Sequence, residues 1–99
     1  MAKNAYEAVV IFTLRNGEEA VEGYKTRFLD LIKEHSDDVA INEEWGGKKK
    51  FAYPIEDELE GYYVEYDFTS DPDFPAELNR VVNITDYAMR VVVFRKDEA

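Results

Sequence analysis

Cysteine is absent from the 99 residues, so disulfides, thiolate metal sites and cysteine nucleophiles are all excluded, and the composition suits a reducing compartment. His35 is the single histidine. Nothing near it completes a nucleophile and base pair, and it reads as a solvated residue favoured by a helix C-terminal dipole. Long apolar runs are missing too: Ala8 to Phe12 is far too short to span a bilayer or to form a signal core. The start, Met1-Ala2-Lys3-Asn4-Ala5, shows no secretory pattern, so a soluble cytoplasmic protein is expected. No phosphate-cradling glycine loop precedes a helix, since Gly46-Gly47 lies in a strand context. Glu56, Asp57, Glu58 and Glu60 lack the alternating oxygen ligands and the glycine of a calcium loop, and read as a solvated turn. Carboxylate pairs are abundant only because the chain is acidic, so acid–base catalysis has little support. No enzymatic activity, cofactor, metal, membrane contact or small-molecule substrate is expected.

Bases are scarce: 12 Lys and Arg stand against 22 Asp and Glu, for a formal charge of −10. That sum argues against nucleic acid as a partner, but the distribution qualifies it. Nine acids and no base lie between Phe51 and Asn79, whereas Lys48, Lys49 and Lys50 are consecutive and Arg90, Arg95 and Lys96 cluster near the C-terminus. At this length one modest core is expected, burying roughly two-thirds of the unfolded surface, so residues 1–99 are read as a single domain. The 45% hydrophobic content is too apolar for a disordered chain.

Ala5 to Leu14 reads as a strand, with Tyr6, Ala8, Val10, Phe12 and Leu14 on one face and Glu7, Val9, Ile11 and Thr13 on the other. Apolar residues on both faces predict a central strand covered at least partly on both sides. Asn16 and Glu19 resemble a capping box for a helix whose stripe is Val21, Tyr24, Phe28, Leu31 and Ile32 and whose end falls near His35 to Asp37. A second strand begins around Val39 and Ile41 and runs, interrupted at Gly46-Gly47, through Lys48 to Tyr53. The glycine pair predicts a bulge or bend, and Pro54 predicts a sheet edge. Tyr62 to Thr69 forms a third strand, with Val64, Tyr66 and Phe68 on the buried side and Glu65 and Asp67 on a wetter one. Ser70 to Asp73 supplies cap candidates for a short helix with Phe74, Leu78, Val81 and Val82 as its apolar side, tolerating Pro75 only in its first turn. A last strand, Tyr87 to Arg95, sets Val91 and Val93 against Arg90, Val92 and Phe94.

The order strand, helix, strand, strand, helix, strand predicts an α+β fold of the ferredoxin-like βαββαβ kind: a four-stranded antiparallel sheet with both helices on one face. Right-handed crossovers place strands one and three centrally and two and four at the edges. Val9, Ile11, Val92 and Phe94 then fall on the face away from the helices, where apolar residues point to a protein partner. Lys48 to Lys50 read in two ways: as edge protection, or as phosphate contacts with Tyr53 or Trp45 available to stack on bases. An RNA-recognition motif is rejected, because Tyr63-Val64-Glu65-Tyr66-Asp67-Phe68 puts acids where that module stacks RNA.

Tyr6-Glu7, Glu44-Trp45-Gly46 followed by lysines and Phe51-Ala52-Tyr53-Pro54-Ile55, Gly61-Tyr62-Tyr63, and Ile84-Thr85-Asp86 leading to Arg90 form a pattern over nearly the whole chain. It resembles the bacterial small-subunit ribosomal protein six family. That resemblance implies a ferredoxin-like fold, no catalysis, and a structural role in the ribosome, in which the protein binds the central domain of small-subunit rRNA cooperatively with ribosomal protein eighteen. By resemblance, the RNA contacts are Lys3, Tyr6, Lys48, Lys49, Lys50, Tyr53 and Arg90. Two departures stand out: Ala2 where relatives carry arginine, and one residue more between Gly46 and Phe51 than the pattern holds, which predicts a bulge there. The alternative is a non-ribosomal ferredoxin-like interaction domain that self-associates through its sheet.

Overall fold

The computed structural model describes residues 3–55 and 57–96, apart from the side chains of Asp37, Glu43, Glu44 and Trp45. Trp45, a candidate for base stacking, thus lies outside the described side chains. The elements are β1 (Asn4–Thr13), α1 (Glu18–His35), β2 (Ser36–Ile55), β3 (Glu58–Ser70), α2 (Phe74–Asn83) and β4 (Ala88–Arg95). They form one four-stranded sheet in the order β2-β3-β1-β4, antiparallel throughout. This is the expected ferredoxin-like α+β fold, with β1 and β3 central.

Alternation along β1 decides which face meets the helices. Ala8, Val10 and Phe12 are fully buried there, packed with Val64, Tyr66 and Phe68 of β3, Val21, Phe28 and Ile32 of α1, and Phe74, Leu78 and Val82 of α2. Rings fill much of this layer: Phe12 meets Phe28 edge-on at 5.4 Å, and Tyr24 stacks on Tyr87 at 4.1 Å. Edge-on and stacked rings contribute beyond their buried area. Tyr66, inside the core, donates its hydroxyl to the Lys25 carbonyl at 3.0 Å. Burial pushes that phenol far above its ordinary value, so it remains a donor.

Both helix starts depart from expectation. Gly17, not Asn16, precedes α1; it takes φ 94°, which favours glycine, and no side chain caps the helix. Asn16 instead donates its amide to the Tyr24 hydroxyl at 3.1 Å. Glu18 and Glu19 still occupy the first turn, where the helix dipole favours them. At α2, Asp73 has helical angles and its side chain caps nothing, while the Phe74 N–H donates to the Asp71 carbonyl at 3.2 Å. Pro75 does lie in the first turn, as its missing N–H requires. His35 is exposed, but it stacks on Phe74 with ring centres 4.9 Å apart rather than standing in solvent alone.

The second strand is longer than its sequence pattern, starting at Ser36 directly after α1. Its register breaks where Asn42 pairs with Glu65 and Gly47 with Tyr63, so residues 43–46 face Val64 alone. The glycines make this possible: a Cβ on Gly46 would lie 2.7 Å from the Tyr63 carbonyl oxygen, and Gly47 has φ 113°. This bulge therefore lies before Gly47, and not among the residues between Gly46 and Phe51 where the extra residue predicts it. Lys48, Lys49 and Lys50 pair regularly with Tyr62, Gly61 and Glu60 before a second irregularity between Lys50 and Ile55.

Candidate functional site

Cross-strand pairing maps the sheet face opposite the helices. Along β1 it carries Glu7, Val9, Ile11 and Thr13; their neighbours are Asp67, Glu65, Tyr63 and Gly61 on β3, and Phe94, Val92 and Arg90 on β4. Asn42, Gly47 and Lys49 extend the rows onto β2. Three kinds of surface result: a basic end, an apolar margin along β4, and an acidic centre.

Successive side chains in a strand point to opposite faces. Lys49 therefore shares the open face with Arg90, and the two flank one end of the sheet from opposite edges, about 15 Å apart by three strand spacings. Lys48 and Lys50 turn to the helix side. Lys48 there lies 3.9 Å from Glu60, an exposed ion pair that contributes little to stability. Tyr53 is 68% exposed on the outer part of the same hairpin. Phe51 folds inward: its ring lies 6.4 Å from that of Tyr63, and a Cβ on Gly61 would come within 2.7 Å of it. Gly61 thus provides the seat for Phe51.

Lys3 is exposed but lies beyond the other end of β1, about 26 Å from the Ile11 row along the strand. Arg95 and Lys96 accompany it there, with Arg95 donating to the Asn4 side chain at 3.2 Å. The structure therefore splits the anticipated basic set into two groups at opposite ends of the sheet. Tyr6 joins neither as a surface residue. It is 7% exposed on the helix side, 5.7 Å from Phe68, with its hydroxyl accepting from Asn4. A β1 residue of that parity must face the helices, so Tyr6 is mainly a core residue.

The four anticipated partner residues do share one face. Val9 pairs with Val92, and Phe94 stands opposite Glu7. Val92 is 47% and Phe94 54% exposed, whereas neighbouring strands cover Val9 and Ile11 to 8%. Only the β4 pair offers substantial contact area. Sequence reasoning missed the acidic centre: Glu65, expected on a wetter surface, is 3% exposed, and the carboxylate oxygens of Glu7, Glu65 and Asp67 lie within 4.8 Å of one another. Strand alternation placed these acids on one face, but their burial depends on neighbours across three strands. Lys96 reaches Asp67 at 3.4 Å from the rim.

An antiparallel ferredoxin-like sheet with an open, charge-segregated face suits a binding domain. Similarity to known proteins makes that class specific. Residues 5–95 match the family model of Ribosomal protein S6. Small ribosomal subunit protein bS6 of Caldanaerobacter subterraneus subsp. tengcongensis is 40% identical over 94 residues, covering 95% of this chain and 98% of that protein. Its counterpart from Corynebacterium urealyticum is 34% identical over 93 residues, covering 94% and 97%. The crystal structure of 30S ribosomal protein S6 from Thermotoga maritima superposes with a TM-score of 0.79 at 28% identity, covering 96% of this chain and 89% of that one. The chain belongs to the ribosomal protein S6 family and is a structural constituent of the small ribosomal subunit in the bacterial cytoplasm, not a member of an enzyme family. Among the described residues, no helix is long and apolar enough to cross a membrane.

Proposed function

We propose that the chain, as a single domain over residues 1–99, binds the central domain of small-subunit rRNA cooperatively with ribosomal protein eighteen. The observation that carries this reading is the segregation of charge on a structural protein of net charge −10: Lys49 and Arg90 flank one end of a face whose centre is acidic and whose β4 margin is apolar. Phosphate is attracted to the basic end and repelled from the centre, so RNA is held at the rim while protein takes the face. Lys48 and Lys50 add charge to the same edge from the helix side, with Tyr53 beside them for stacking. Lys3 and the edge of Tyr6 form a separate contact at the far end. Lysines present point charges rather than planar forks, which leaves more of the affinity to the protein partner.

Mixing the purified protein with a central-domain rRNA fragment and ribosomal protein eighteen tests this directly. A ternary complex at moderate salt is expected, along with clearly weaker assembly when Lys48, Lys49 and Lys50 are all replaced by Glu in a protein that still folds. Failure to form the complex from folded components overturns the proposal. Equal RNA binding by the triple variant relocates the contact from the β2 edge.

A further inference from the structure

At its basic end the sheet holds an aromatic ring in place. Phe51 follows the three lysines, and its ring lies over Gly61, where a Cβ would come within 2.7 Å of Phe51 and 2.8 Å of Ile11 Cγ2. Ile11 stands on the open face, so the seat of the ring is on that face too. The Tyr63 ring, 6.4 Å away and tilted by 56°, borders Phe51 on one side. Phe51 nevertheless stays partly exposed. Its ring is therefore oriented before anything binds, whereas Tyr53, at 68% exposure, has to be ordered on binding.

Exposed positive charge stands on either side of this seat. Lys49 is opposite Gly61 across the β2–β3 pair, and Arg90 is opposite Ile11 across the β1–β4 pair, two strands from Gly61. The acids of this end are engaged elsewhere: Glu60 turns to the helix side, 3.9 Å from Lys48, and Glu58 accepts from the Thr13 hydroxyl. Glu65 stands four residues along β3 from Gly61, about 13 Å away. A flat apolar ring between two cations suits a nucleobase, whose face stacks on the ring while the phosphates beside it meet the cations. We propose that Phe51 is a stacking platform for an unpaired nucleobase of the rRNA, with Lys49 and Arg90 holding the phosphates that flank it. This rests on the assignment of rRNA binding above, and adds recognition of a base face to attraction of the backbone.

Changing the ring without emptying its seat separates stacking from packing. Phe51→Leu keeps an apolar side chain over Gly61; binding to the central-domain rRNA fragment with ribosomal protein eighteen is expected to weaken by about fivefold or more. The salt dependence should stay as it is, because stacking neutralises no phosphate, whereas Lys49→Gln should flatten it. Phe51→Tyr restores a stacking face and is expected to recover the binding that leucine loses. If the leucine variant melts early, ultraviolet crosslinking of the unaltered protein in the ternary complex, mapped by mass spectrometry, carries the same test, with a Phe51–nucleotide adduct expected. The platform is overturned if a folded leucine variant binds as well as the unaltered protein, if tyrosine is as weak as leucine, or if Phe51 is joined to ribosomal protein eighteen or to nothing; RNA binding then still stands. Failure of the unaltered protein to bind the RNA overturns both.

Discussion

The two faces of β1 belong to one strand and differ in what completes them. Tyr6, Ala8, Val10 and Phe12 are closed off by two helices, and every one is accounted for by packing within the chain. Glu7, Val9, Ile11 and Thr13 look onto a face bearing clustered acids, the half-exposed Val92 and Phe94, and the basic end. An intramolecular core explains the first set; in the second, neighbouring strands cover Val9, Ile11 and Thr13, while Val92 and Phe94 beside them stay exposed. Under the proposed function, stability belongs to the first face and binding to the second, and substitutions should separate them.

The largest effect is expected on the closed face. Phe12→Ala removes a fully buried ring that contacts Phe28, Tyr24 and Tyr87, and should cost about 3–5 kcal/mol, read as a fall in the urea midpoint. A loss below about 1 kcal/mol would break the contrast. Next is Gly61→Ala on the open side: its Cβ would meet the Phe51 ring at 2.7 Å and Ile11 Cγ2 at 2.8 Å, for a cost of about 1–3 kcal/mol. A smaller loss would show that Phe51 can leave its seat freely.

Tyr66→Phe should cost about 1 kcal/mol, because the Lys25 carbonyl loses its buried donor. It also changes the alkaline limb. The folded state holds the Tyr66 proton more tightly than the unfolded state, whose phenol titrates near 10.0, so this contribution is complete below pH 10 and is lost as pH rises toward the folded value. The phenylalanine variant should lose stability less steeply above pH 10 in thermal melts; equal slopes would assign the alkaline loss to other groups. Smallest of all, Val92→Ser should leave folding stability within about 0.5 kcal/mol, since the side chain already meets solvent. A large destabilisation there would mean that the open face also holds the monomer together.

Much of this fold was legible because its signals are local. The strand β1, the stripe of α1 and the alternation of Val64, Tyr66 and Phe68 follow periods of two and 3.6 residues, which no distant contact alters. Pro54 and the lysines marked β2 as an edge, which its position in the sheet matches. The helix starts were less legible. Asn16 had a cap-forming side chain but found Tyr24, while the turn out of β1 needed a positive φ at Gly17. Tyr6 carried a polar atom compatible with a surface role, yet strand parity committed its ring to the core.

By itself, the sequence determined the order of elements, the face on which each residue of β1, β3 and β4 stands, the division of charge and the family pattern, because each depends on spacing along the chain. The tertiary structure decided the register of β2. Where the extra chain loops out depends on which glycine can approach the Tyr63 carbonyl across the pair, and that choice puts Lys49 rather than Lys48 or Lys50 on the open face. It also decided that Glu65 is buried beside Glu7 and Asp67, because burial of one side chain in a sheet is set by its neighbours on the adjoining strands.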